Sequence, residues 1–193
     1  RFHRVGQRNA PVVRMSEAPR APIRDATRVA CGDGHCCALL RSGGVVCWGD
    51  NSLGSLGDGT MNARTAPVTV AGLQRATQTA LGCCDTCALY ENGGGGSEGF
   101  CWGPSTQLTP GRATALDGAT SIYGGPGLEN SWCGIFNAAR DLRCGSHTML
   151  SPTPVLSNVV SVSGGAAGRC AVQASGTAYC WGGNLHGFLG NGG

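Results

Sequence analysis

Twelve cysteines in 193 residues are the side chains most able to do chemistry in this sequence. Eight recur as spaced pairs: Cys37 with Cys47, Cys87 with Cys101, Cys133 with Cys144, and Cys170 with Cys180. Cys31, Cys36, Cys83 and Cys84 stand outside that spacing. Thiols in such number support structural disulfides in an oxidising compartment, a zinc site, or covalent haem. Cys84 and Cys87 form a C-x-x-C, but Ala88 follows where haem attachment needs histidine, so haem is set aside. Cys31, His35, Cys36 and the neighbouring Cys83 and Cys84 offer donors for zinc, which takes four deprotonated ligands in a tetrahedron. The competing assignment is additional disulfides among Cys31, Cys36, Cys83 and Cys84, in a pairing that the sequence leaves open and that includes a link from the first unit to the second. It is preferred because thiols beside already paired cysteines meet the same oxidant. The expectation is therefore no metal and no cofactor.

The paired cysteines need elements that hold them opposite each other. Cys37–Leu40 is a short apolar run, Arg41–Gly43 carries turn chemistry, and Val45–Trp48 is β-branched and aromatic. This predicts two antiparallel strands joined by a three-residue loop with glycine at its left-handed third position. Cys37 and Cys47 then face each other as a non-hydrogen-bonded pair, about 4.5 Å apart at Cα, at the near edge of the disulfide range. Cys170 to Cys180 repeats this spacing around Ala174–Gly176. Cys87 to Cys101 carries a longer tip around Gly93–Gly96, and Cys133 to Cys144 one extra residue.

Four units begin near Ala26, Ala76, Ala119 and Val159, about 35 to 50 residues apart, a period that marks a propeller or solenoid. The expected organisation is an arginine-rich arm with a part-repeat strand at 1–26, then repeats at 27–75, 76–118, 119–158 (degenerate) and 159–193. The last repeat reads as ending midway. Ala10-Pro11-Val12 matches Ala66-Pro67-Val68, so the first strand is expected to complete the last blade and to remove an open sheet edge.

Composition agrees with many short strands: 34 glycines, 6% aromatics and 41% apolar residues. No apolar run approaches the roughly 18 residues that span a bilayer, so no membrane span is expected. All 14 cationic side chains are arginines, and seven lie in the first 28 residues. Without interleaved aromatics this arm reads as a solvated segment, and nucleic acid is not an expected partner. His3, His35, His147 and His186 sit in no nucleophile motif, and no G-x-S-x-G, H-E-x-x-H or Walker loop is present. Asp33, Asp50, Asp58 and Asp85 fit turns better than a calcium loop.

The run Val29–Thr60, with G-D-G-H-C-C-A-L, V-C-W-G-D-N and G-S-L-G-D-G-T, resembles the repeat of the regulator of chromosome condensation family. The resemblance covers roughly residues 10 to 193, strongest in the first and fourth units. In the third only Cys133, Cys144 and Gly145 stay in register. It implies an all-β propeller or propeller arc of about four disulfide-stapled repeats. Its motif residues are architectural. Gly49, Gly54, Gly57 and Gly59 permit positive φ, Asn51 and Asn184 satisfy turn backbone groups, and Trp48, Trp102 and Trp181 fill the space between blades.

Repetition without catalytic chemistry points to a non-enzymatic interaction or structural module, secreted or in another oxidising extracytoplasmic compartment. It would bind a protein partner or a copy of itself, with the irregular loops 91–99 and 123–131 as candidate surface. The alternative from another class is a secreted enzyme or enzyme inhibitor with its site on a propeller face.

Overall fold

The computed structural model describes residues 22–104, 107–125, 132–146, 148–151, 155–165, 168–184, 187 and 189–192. The arm before residue 22, with Ala10–Val12, lies outside them, so the expected completion of the last blade concerns residues that are not described.

Four antiparallel sheets follow one another along the chain. The first contains β1 (Ala26–Cys31), β2 (His35–Leu40), β3 (Val45–Gly49) and β4 (Arg64–Thr69) in that order. The second contains β5 (Ala76–Leu81), β6 (Thr86–Glu91), β7 (Ser97–Trp102) and β8 (Gly111–Arg112). The third contains β9 (Ala119–Tyr123), β10 (Trp132–Phe136), β11 (Asp141–Ser146) and β12 (Met149–Leu150). The fourth has three described strands, β13 (Val159–Gly164), β14 (Gly168–Gln173) and β15 (Ala178–Gly182). A single 3-10 turn, Thr114–Leu116, is the one helical element among the described residues.

Each hairpin register follows from its loop. The Leu40 amide donates to the Gly44 carbonyl at 2.8 Å around the Arg41–Gly43 loop, and Gly43 supplies φ +81°. Three residues further along each strand, Cys37 stands opposite Cys47. The fourth blade repeats this with Gly176 at φ +86° and Cys170 opposite Cys180.

Because side chains alternate across a strand, each sheet sends one apolar row toward the next blade. Cys37, Leu39, Val45 and Cys47 are buried against Leu56, Val70 and Leu73 of the connecting segment and Ala76, Leu81, Ala88 and Trp102 of the second blade. The opposite row of that blade, Cys87, Leu89 and Cys101 with Leu116, packs on Ala119, Ile122, Trp132 and Phe136. Cys133, Ile135 and Leu142 continue against Val159, Val162 and Ala171. Burial of each such aliphatic side chain contributes about 1.5–3 kcal/mol. The core therefore lies between blades.

One residue before each first strand adopts the left-handed conformation: Asp25 (φ 61°), Arg75 (64°), Gly118 (78°) and Asn158 (57°). This turns the chain from one blade into the next. Only the third blade uses glycine, which adopts this φ without steric cost.

Candidate functional site

The cysteines divide into three kinds of place. On the hairpins, the sulfurs of Cys37 and Cys47, Cys87 and Cys101, Cys133 and Cys144, and Cys170 and Cys180 lie at bonding distance, with Cα atoms 4.1 Å apart in each pair. The sulfurs of Cys31 and Cys36 also lie at bonding distance, across the β1–β2 turn of the first blade. Cys83 and Cys84 are thiols in the β5–β6 turn, both half-buried, with Sγ atoms 2.9 Å apart.

The residue before each hairpin cysteine reaches toward the blade behind it in the second, third and fourth units. Thr86 shares a hydrogen bond with His35 Nε2 at 2.8 Å and donates to the Ser55 carbonyl at 3.0 Å. Trp132 donates its indole N–H to Asp85 at 2.9 Å, and Arg169 approaches the Cys133 sulfur at 3.3 Å. In the first unit this position is Cys36, bonded locally to Cys31. Burial lowers the pKa of His35 against the opposing pull of Asp85, Asp50 and Asp33, so the ring is neutral at pH 7.

The turn after β3 is organised by Asn51, which is fully buried. Its Nδ2 donates to the carbonyls of Thr60 at 3.0 Å and Asn62 at 3.1 Å, and its Oδ1 accepts the Leu56 amide at 2.9 Å. Asn184 places its Oδ1 on the Leu189 amide at 3.0 Å in the corresponding turn of the fourth unit. Gly49 has φ +111°, and a Cβ there would meet the Gly34 carbonyl oxygen at 2.4 Å. Gly57 (φ +68°) leaves room for the Trp102 ring, which a Cβ would meet at 2.7 Å, and Gly59 has φ +82°.

The tryptophans are not equivalent. Trp102 is fully buried and donates its indole N–H to the Ser55 carbonyl at 2.8 Å. Trp181 is half-buried against the third core cluster. Trp48 is half-buried on the face of the first sheet turned away from the second blade, opposite Cys36 in register.

Two grooves open on the seams between blades, of 490 Å³ beside Arg140 and Val159 and of 520 Å³ beside Tyr90 and Phe100. Their titratable linings are Arg140 in the first and Tyr90 with Glu98 in the second. Among the described residues no three His, Cys, Asp or Glu side chains gather as a metal would require. In the candidate loop 91–99, Asn92 ties the glycine tip by accepting the Gly94 and Gly96 amides. Most of the other loop, 126–131, lies outside the described residues.

Sequence reasoning missed Ser55, Thr86, Asp85 and Trp132, which join blades. The available signal was positional: Thr86 and Trp132 each directly precede a hairpin cysteine.

The model of the regulator of chromosome condensation (RCC1) repeat matches residues 26–55 and 42–89. Among curated relatives, the chain is 31% identical over 115 residues to the E3 ubiquitin-protein ligase HERC2 of Homo sapiens, covering 59% of this chain and 2% of that protein. It is 28% identical over 192 residues to the Ultraviolet-B receptor UVR8 of Arabidopsis thaliana, covering 86% of this chain and 43% of the receptor. Among solved structures, human WBSCR16 superposes with a TM-score of 0.68 at 20% identity, covering 86% of this chain and 49% of that one. Yeast RCC1 (Prp20), crystallised bound to Kap60, gives 0.63 at 21% identity, covering 81% and 43%. The chain thus spans less than half the length of these relatives and structures.

Proposed function

We propose that this chain, an arc of regulator of chromosome condensation (RCC1) type repeats, is a non-enzymatic protein-interaction and assembly module of an oxidising, extracytoplasmic compartment. The observation that carries the reading is the contrast between the inner blades and the fourth. Cys37, Leu39, Val45 and Cys47 are 0–4% exposed beneath the second blade. Their counterparts by register are Cys170, Val172, Ala178 and Cys180, of which the first two are half-buried and the last two exposed. The fourth sheet thus offers an apolar strand face of the kind that each inner blade covers. Its partner is a protein surface shaped like a blade, which a second copy of this chain or a further repeat of the same polypeptide supplies.

Five cysteine pairs at bonding distance support the oxidising compartment. A protein-binding role is in keeping with yeast RCC1, crystallised with Kap60 and characterised for binding Gsp1p and histones.

Substituting Ala178→Arg places a charge at the centre of the open face without touching the core between blades. Sedimentation velocity across a concentration series should show self-association of the native chain and its loss in the variant, with equal thermal midpoints at concentrations where both are monomers. In the associated form Cys170–Cys180 should resist dithiothreitol, and in the variant it should be reduced quickly. A native chain that stays monomeric while its Cys170–Cys180 pair is already as protected as Cys37–Cys47 would overturn the assignment of this face.

A further inference from the structure

The turn between β5 and β6 is more heavily tied than any loop that merely reverses the chain needs to be. Gly82 donates to the Asp85 carbonyl at 2.8 Å to close it. The Cys84 carbonyl accepts the Ser55 hydroxyl, Asp85 accepts the Trp132 indole from the third blade, and Thr86 meets His35 from the first. A Cβ on Gly32 would collide with the Gly82 carbonyl oxygen at 2.3 Å, so the first-blade turn lies directly on this backbone. At its centre are the two half-buried thiols, adjacent in sequence, with sulfurs 2.9 Å apart. In the first blade, whose Gly32 and Cys37 align with Gly82 and Cys87, the same two positions hold Asp33 and Gly34. The dithiol is therefore no part of the repeat, and neither the hairpins nor the open fourth sheet uses it.

We propose that Cys83 and Cys84 form a reversible vicinal dithiol–disulfide site, oxidised by low-molecular-weight disulfides, at the junction of the first three blades. Oxidation proceeds by two exchanges. The Cys84 sulfur, as thiolate, attacks one sulfur of the small disulfide, breaks its S–S bond and releases one thiolate, leaving a mixed disulfide on Cys84. Cys83 then loses its proton to solvent and attacks the Cys84 sulfur, forming the Cys83–Cys84 bond and expelling the second small thiolate. The protein gives up two electrons and two protons, and the small disulfide is reduced to two thiols. The order follows from the local chemistry. The hydrogen bond to Cys84, burial, and the charges of Cys84, Asp85 and Asp33 push the Cys83 thiol up to about 12, so Cys83 keeps its proton until Cys84 carries the mixed disulfide. Bonding adjacent residues closes a ring through their shared peptide, whose carbonyl is that of Cys83, and the backbone change this forces at Cα of Cys84 displaces the next carbonyl, the one that accepts the Ser55 hydroxyl. That loosens the tie between the first connecting turn and the second blade. The proposal does not depend on the interaction face of the fourth sheet.

The test is equilibration of the full chain with oxidised and reduced glutathione at graded ratios, followed by acid quench, alkylation and mass spectrometry of the peptide holding Cys83 and Cys84. The expected product has lost two hydrogens, carries no glutathione, and reverts on adding reduced glutathione. Cys83→Ser should trap a glutathione adduct on Cys84, and Cys84→Ser should react far more slowly. Oxidation should lower the thermal midpoint by about 2–4 °C, the equivalent of one lost hydrogen bond, and should leave the Cys83→Ser/Cys84→Ser double variant unaffected. A stable glutathione adduct on the native chain, alkylatable thiols at every ratio, or exchange of Cys84 into the Cys87–Cys101 pair would each overturn it.

Discussion

Full reduction is expected to unfold the protein near room temperature. Each hairpin pair closes a loop of 10–14 residues in sequence separation, which contributes about 3 kcal/mol through the unfolded chain's entropy. The four together supply about 12 kcal/mol, against about 5–15 kcal/mol of net stability in a typical domain. Cys37, Cys47, Cys87, Cys101 and Cys133 are fully buried, so dithiothreitol reaches them only after the blades separate. Cys180 and Cys31 are exposed, so in the monomer Cys170–Cys180 and the local Cys31–Cys36 link should be reduced first and leave the first three blades folded. Circular dichroism with timed alkylation should thus show an early loss of these two pairs, then cooperative collapse. A reduced protein that keeps its native spectrum and thermal midpoint would remove the disulfides from the stability account.

Trp102→Ala is expected to cost about 3–5 kcal/mol, the range for deleting a buried aromatic ring. That lowers the thermal midpoint by roughly 10 °C or more at this chain length. The loss combines the cavity left among Leu56, Leu73 and Ala88 with the hydrogen bond to the Ser55 carbonyl. Trp102→Phe should recover most of it, because Thr86 still donates to that carbonyl. Trp48→Ala should cost far less, since its ring is half-buried on the outward face of the first sheet. Equal midpoint losses for Trp48→Ala and Trp102→Ala would show that the seam between the first two blades is not where the stability lies.

Those two tryptophans also show what was legible in the sequence. Both occupy the same C-W-G motif, and the motif placed each on a third strand after its cysteine. The all-β, repeating architecture was readable because loop length and the side-chain period of two fix a hairpin's register locally. Burial was not readable, because it depends on whether another blade lies behind. Trp102 has the first blade's connecting turn against it, whereas no described blade covers Trp48.

The third blade is degenerate for a related reason. Its tryptophan precedes the cysteine, where Trp132 reaches back to Asp85, and no motif records that exchange. The left-handed residues ahead of each first strand are hidden similarly. Arg75 is held there by the connection between blades and not by its own preference, whereas Asp25 and Asn158 are of the types that adopt this conformation most readily after glycine. The spacing of Cys31, Cys36, Cys83 and Cys84 leaves their pairing open, and the β1–β2 register sets Cys31 opposite Cys36. With only four residues between them, Cys31 and Cys36 meet locally before any distant partner.

The most direct test of a disulfide-stapled propeller arc is non-reducing peptide mapping of the native chain, alkylated on isolation, with fragmentation between Cys36 and Cys37. A stapled arc gives Cys37–Cys47, Cys87–Cys101, Cys133–Cys144 and Cys170–Cys180, with Cys31–Cys36 as a separate local link and Cys83 and Cys84 bonded to nothing but each other. Free thiols at the eight hairpin positions, or bonds that cross from one hairpin to another, would contradict both the repeat register and the oxidising compartment.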